Sequence, residues 1–213
     1  MMNKLPDFLN QSIQANICII CEGHEEYTYL NRLSLLEVWN QAYHIKLINA
    51  EGNGNIPAIY EDQFRNDSFD IVFVFCDTER KPYEQYNDIK RKISAFHDLD
   101  TGVGSIIIYA NPCTMQVILS HWGDVHLTTA SKKANRQIIL SYTGIENYKA
   151  KKEQLEILMD QLTIENYQAM CHRVLLLKDD DTVVGSSNFR KLIEFLSSTN
   201  EKWIQEINQT LEI

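Results

Sequence analysis

Three carboxylate residues stand where an open parallel sheet would use them. Glu22 closes a short apolar run, Asn16 to Cys21 (NICIIC), and Asp77 closes a second, Phe69 to Cys76 (FDIVFVFC), with Glu79 two residues on. In such a sheet, ligands bind beyond the carboxyl ends of the strands, so residues directly after strands carry more functional weight than residues elsewhere. Carboxylates gathered at one edge repel one another unless protons or a cation compensate them, and an all-oxygen set suits Mg²⁺ or Mn²⁺. Glu22, Asp77 and Glu79 are therefore the candidate catalytic and metal-ligating residues. The competing reading is that Glu22 and Asp77 only cap the helices behind them, since acidic residues favour helix N-termini.

The elements that must position these groups follow from hydrophobic periodicity. Asn16 to Cys21 reads as a strand, Glu22-Gly23 as a tight turn, and the segment with Tyr27, Leu30, Leu33, Leu35 and Leu36 at helical spacing as a helix. His44 to Ile48 is a weaker strand, followed by a glycine-rich turn at Glu51 to Asn55 and a short helix to Phe64. Phe69 to Cys76 is almost wholly β-branched or aromatic, as a strand buried on both faces requires. A helix over about Tyr83 to Phe96 and a strand at Ser105 to Ala110 come next, and Asn111-Pro112-Cys113 opens a further helix.

From Ser131 onward the pattern is mainly helical, at about 132 to 141, 147 to 161, 163 to 172 and 188 to 209, with one possible strand at Val174 to Leu177. Strand and helix alternate up to about residue 120. The expected architecture is an open, mainly parallel α/β sheet of Rossmann-like type with helices on both faces. Residues 1–130 form its core, and residues 131–213 form a helical extension packed on that core.

The weaker chemical signals each have a plainer reading beside them. Gly23 and His24 follow Glu22, and His24 either approaches a substrate phosphate or is a first-turn polar residue. Cys18 and Cys21 fit a C-x-x-C formula, but positions three apart on a strand face opposite sides, so core packing is the expectation. Gly52 to Asn55 lacks the lysine of a phosphate loop and reads as a turn. His121 and His126 flank Trp122 and read as a packed helix face rather than a zinc site. Asp179 to Asp181 reads as a solvated turn.

The 213 residues are 44% hydrophobic and 23% charged, a balance that folds. The net charge of −9 excludes a protein that coats nucleic acid by bulk electrostatics, though not one with a local basic groove. Three clusters offer such a groove: Lys90, Arg91 and Lys92; Lys132, Lys133 and Arg136; and Lys149, Lys151 and Lys152. Lys132 and Lys133 are taken as substrate-binding candidates, against the plainer reading of solvated helix faces. The N-terminus lacks the basic start and apolar run of a secretory leader, no stretch approaches a membrane span, and the five cysteines are an odd number, three of them in apolar segments. A reduced, cytoplasmic protein without membrane contact is expected.

A strand ending in Glu-Gly (CIICEGHEEYTYL) and a later apolar strand ending in an acidic pair (DIVFVFCDTE) together resemble the Toprim domain shared by topoisomerases, primases and OLD-type nucleases. Ile106 to Trp122 (IIIYANPCTMQVILSHW) resembles the RloB-like branch of that group on Asn111, Pro112, Cys113, His121 and Trp122. Gly144 to Lys149 (GIENYK) and Phe189 to Phe195 (FRKLIEF) extend the likeness over most of the chain. Two departures from the pattern stand out: Glu79 stands for the usual second Asp, and Thr114-Met115 stands for the usual Phe-Glu.

The resemblance implies Mg²⁺- or Mn²⁺-dependent phosphodiester hydrolysis of DNA or RNA, in a setting of prokaryotic defence. Asp77 and Glu79 would hold the metal, with Glu22 as ligand or general base and Asn111 near enough to orient substrate. It leaves open a partner ATPase and a homo-oligomer. The missing acid at Met115 keeps a second possibility in view, an inactive nucleic-acid-binding or assembly subunit.

Overall fold

The computed structural model describes residues 15–100 and 102–211. The N-terminal stretch read for a leader lies almost wholly outside them. Four strands, β1 (Ala15–Cys21), β2 (Tyr43–Asn49), β3 (Ile71–Asp77) and β4 (Ile107–Ala110), form one all-parallel sheet in the order β2-β1-β3-β4. Between them run α1 (His24–Leu35), α2 (Ile56–Arg65) and α3 (Glu84–Phe96). The fold is thus the expected open α/β sheet. Ile17 of β1 pairs with Ile45 on one side and Ile71 on the other, and Val74 of β3 pairs with Ile107. The central strands are continuously apolar because both faces are covered.

The strand order explains the layers. The chain steps from β1 to β2 in one direction and from β2 past β1 to β3 and β4 in the other. Right-handed crossovers then put α1 on one face and α2 with α3 on the other. Between α2 and α3, Phe64 meets Phe96 edge to face at 5.6 Å, a favourable aromatic geometry. The opposite face presents Phe73 and Phe75, two residues apart and so on the same side of β3.

That face is covered from the C-terminal part, which supplies α4 (Met115–Leu119), α5 (Arg136–Thr143), α6 (Lys152–Asp160), α7 (Ile164–Val174), α8 (Phe189–Ser197) and α9 (Lys202–Leu211). Phe189 packs on Phe75 with ring centroids 5.3 Å apart, and Phe195 stacks between Phe73 at 5.9 Å and Trp203 at 4.8 Å. Asn188 closes the free edge of β4 by accepting from Tyr109 N at 2.7 Å and donating to the Ile107 carbonyl at 2.9 Å. A side-chain amide here does what a further strand would do, leaving no open ladder at that point.

Three local expectations are corrected. The helix expected from 147 begins at Lys152, because Asn147 and Ala150 hold φ of 49° and 54°, which no right-handed helix accommodates. Val174 to Leu177 is not a strand: it is the unwinding end of α7, with Leu175 N bonded to the Cys171 carbonyl and Leu177 N to that of Val174. The helix expected over 188–209 is two, interrupted at Ser198–Asn200, where the Asn200 side chain accepts from Lys202 N at 3.0 Å. The Asp179 to Asp181 turn keeps Asp179 and Asp180 exposed, as expected of a solvated turn, but it is tied to the fold. Asp181 takes Tyr86 Oη at 3.0 Å and Lys90 at 2.5 Å, and Asp179 takes Lys191 at 2.9 Å, tying the loop to α3 and α8. Among the described residues no helix is long and apolar enough to cross a membrane.

Candidate functional site

The strand order reverses between β1 and β3, and the crevice outside such a switch point is where open α/β sheets bind ligands. Glu22 follows β1 and Asp77 ends β3, so the two carboxylates meet at that crevice. The link is direct: Asp77 N–H donates to Glu22 Oε2 at 2.8 Å, across 55 residues of sequence. Glu22 N in turn donates to the Phe75 carbonyl at 3.0 Å, which extends the β1–β3 ladder by one residue and fixes where the side chain starts.

Helix α1 brings two more carboxylates. Gly23 is its extended N-cap, and Gly23 N–H donates to Glu26 Oε2 at 3.0 Å. Glu25 and Glu26 in the first turn are both buried. Asp77 is fixed from β4's side, where Thr114, fully buried, donates its N–H at 2.6 Å and its hydroxyl at 2.7 Å to Asp77 Oδ1. The other oxygen, Oδ2, accepts no hydrogen bond from the described residues. The cis Asn111-Pro112 peptide lies in the turn that delivers Thr114.

Electrostatics divide this cluster into two parts. Burial, the charge of Glu26 and that of Glu22 hold the Asp77 carboxyl well above its ordinary range. Burial and Glu26 push Glu22 up to about 8, opposed by the Asp77 N–H. Burial and Glu25 raise Glu26 as well. Glu25 itself is compensated, accepting from Tyr148 Oη at 2.5 Å and pairing with Lys132 Nζ at 2.8 Å. Burial works to lower the Lys132 pKa, but the charge and hydrogen bond of Glu25, aided by Asp77, outweigh it and raise it. One cation therefore neutralises one of four acids, and Glu22, Glu26 and Asp77 are left in excess.

The remaining candidates are distributed unequally. Glu79 is exposed, with φ of 59° and its N–H bonded to the Pro112 carbonyl, and it reaches Glu22 only as a neighbouring charge. His24 is exposed with Nδ1 3.3 Å from Asn49 Nδ2, and Lys133 is exposed. Lys132 belongs to the acidic cluster rather than to a solvated face. Asn111 is fully buried, and its amide nitrogen is committed to Tyr83 Oη at 3.1 Å and the Asp181 carbonyl at 2.8 Å, so its visible role is structural. His121, in the turn after α4, is a buried core histidine between Tyr29 Oη at 3.0 Å and Asn166 Oδ1 at 3.1 Å, whereas His126 is exposed, so the two do not share the packed helix face expected. Cys18 and Cys21 are buried, and burial pushes the Cys18 thiol up to about 12.

Among the described residues no three His, Cys, Asp or Glu side chains form a group able to hold a metal ion, so Glu22, Asp77 and Glu79 do not make the three-carboxylate cage expected. The donor chemistry still fits Mg²⁺ or Mn²⁺ on two ligands, because such ions bind through one or two carboxylates and complete their shell with water and substrate phosphates. Glu22 and Asp77 are the residues that could supply two such carboxylates. Glu25, Glu26, Thr114 and Tyr148 were missed as site residues. Glu25 and Glu26 were visible as an acidic first turn, whereas nothing local marks Thr114 or Tyr148.

The fold and site define an α/β protein with an open parallel sheet and excess carboxylates at its switch point. No protein-family model, curated protein or solved structure matches the chain.

Proposed function

We propose that the protein is a divalent-metal-dependent nuclease of the Toprim kind that its motifs resemble. What carries the reading is the hydrogen-bonded junction of Glu22 with Asp77 at the switch point, where burial first, and neighbouring acids second, hold both carboxyls above their ordinary range. Glu22 and Asp77 would hold Mg²⁺ or Mn²⁺, which when bound would neutralise phosphate charge and favour ionisation of a water. The chain's own residues do the rest. Thr114 fixes one oxygen of Asp77 and thereby aims the other, and the Asp77 N–H fixes one oxygen of Glu22. Lys132, paired with Glu25, neutralises that acid beside the cluster and so would reduce its repulsion of an arriving phosphate.

A second reading is favoured by one observation: Thr114 and Met115 stand at the start of α4, the helix in which the resembled family carries an acid, and both are buried. A site short of that carboxylate would bind nucleic acid or a partner without turnover. Calorimetry with Mn²⁺ and cleavage assays on labelled single- and double-stranded DNA and RNA separate the two. A nuclease binds Mn²⁺ and cleaves, and Asp77→Asn abolishes both. A wild type that binds nucleic acid but cleaves none of these substrates is the inactive subunit.

A further inference from the structure

We infer that the cavity between the start of α1 and the start of α6 is a pocket for one nucleobase of a single-stranded substrate, beside the phosphate handled at Glu22 and Asp77. The inference rests on the nuclease reading and adds the substrate's form and where it is held. The cavity has a volume of about 370 Å³ and is lined by His24, Tyr27, Thr28, Ala150, Leu155 and Glu156, with Lys152 at its rim. That is within the range of small-ligand sites.

Both walls are anchored to the carboxylate cluster. His24 begins α1 two residues after Glu22, and Tyr27 follows on the same turn. The other wall, at Ala150, comes two residues after Tyr148, whose hydroxyl is bonded to Glu25. The positive φ of Ala150 turns the chain there from the cluster into α6. A base in this cavity is therefore a near neighbour of a phosphate at the switch point.

The lining has the chemistry of a base site. Tyr27, half-buried, offers an aromatic face, and Leu155 and Ala150 offer apolar contact, while Thr28 and Glu156 can accept from an exocyclic amino group. Asn49 Oδ1 accepts from Glu51 N, which orients its amide nitrogen toward His24 Nδ1 and leaves Nε2 as the free ring nitrogen. A base reaches such a pocket only when unstacked, which selects single strands.

Charge supplies the independent support. Lys90 pairs with Asp181, Arg91 and Lys92 share the one carboxylate of Asp88, and Lys132 pairs with Glu25. Lys149, Lys151 and Lys152 are all exposed, and among the described residues none of them is in an ion pair. On a chain of net charge −9, Lys152 lines this cavity beside Glu156, and Lys149 and Lys151 adjoin its Ala150 wall in sequence. A backbone passing the pocket would be held there.

The test uses the full chain carrying Asp77→Asn, so that substrate survives, in EDTA. Fluorescence anisotropy is read with labelled pentanucleotides of deoxyadenosine and of deoxycytidine, and with a pentanucleotide of abasic sites. At least one base-bearing strand should bind about tenfold or more tightly than the abasic one, the usual scale of one stacked base. Thr28→Trp, which fills the cavity from an accessible helix position, and Tyr27→Leu should each remove that preference. Lys151→Glu with Lys152→Glu should weaken all three strands alike and flatten the salt dependence by about 0.7 per lysine. Equal binding of all three strands overturns the inference, as does a preference that survives both Thr28→Trp and Tyr27→Leu. Failure of the nuclease reading shows separately, as absence of Mn²⁺ binding and cleavage in the wild type.

Discussion

Replacing Glu22 with Gln should stabilise the protein, and by an amount that depends on pH in a defined way. The substitution keeps the volume and keeps an oxygen to accept from Asp77 N, which Glu22 Oε2 now does at 2.8 Å. It removes the ionisation. Glu22 moves from an ordinary 4.5 to about 8 on folding, chiefly through burial and secondly through Glu26. The folded chain therefore binds more protons than the unfolded chain between those values, and stability falls as pH rises through that window. At pH 7 the cost is about 3 kcal/mol, and above pH 8 it levels off near about 5 kcal/mol. For a chain of this length, about 3 kcal/mol corresponds to a rise in Tm of about 6–12 °C.

The assay is thermal melting of wild type and variant in EDTA from pH 4.5 to 9, read as the difference between the two curves. His121, which burial lowers to about 4, contributes in the opposite sense below 6.5, its stability being lost as pH falls, but it is common to both proteins and cancels. The difference should be near zero at pH 4.5, grow through neutrality and saturate above 8. A difference that is flat with pH, or a variant less stable than wild type at pH 8, would refute the electrostatic account of the cluster.

Asp77→Asn should raise the metal-free Tm at neutral pH in the same direction, because it relieves a carboxyl raised by burial, Glu26 and Glu22, while Mn²⁺ should raise the Tm of the wild type and not of the variant. Thr114→Val keeps the N–H to Asp77 Oδ1 but removes the hydroxyl donor, and urea unfolding at pH 8 should show a loss of about 1–2 kcal/mol. Lys132→Met should cost about 3 kcal/mol by the same measurement, since it leaves buried Glu25 with Tyr148 as its remaining partner, and Tyr148→Phe about 1–2 kcal/mol.

The sheet was legible because its information is local. β1 and β3 announce themselves as unbroken apolar runs, and the alternation with helices leaves a parallel sheet as the available packing. The carboxyl ends were legible for the same reason, and so Glu22 and Asp77 were found. What failed to show was whatever depends on distant partners. Thr114 reads as an ordinary polar residue until β3 and the turn after β4 are side by side, and Tyr148 reads as core until it is seen to donate to Glu25. Glu79 was overvalued because spacing along the chain cannot reveal the positive φ and the bond to Pro112 that hold its backbone in an exposed turn. Lys132 and Lys149 look alike in sequence, and only the fold shows that one is paired with a buried acid.

The cluster as a whole presents a physical puzzle whose resolution bears on function. A core free to maximise stability would not place Glu22, Glu26 and Asp77 together against a single lysine, because each buried carboxylate left without a counter-charge opposes folding. The surrounding structure nonetheless specifies the arrangement closely: a backbone N–H for Glu22, another for Glu26, and two donors for Asp77. These donors favour the charged forms, so they lower the raised pKa values rather than let the acids remain protonated. Simple burial of neutral acids would need donors from the carboxyl groups outward, to acceptors. Donors pointing in, with one lysine for four acids, are what the proposed metal-dependent reading would require of this site, and on that reading its instability would be the counterpart of its binding capacity.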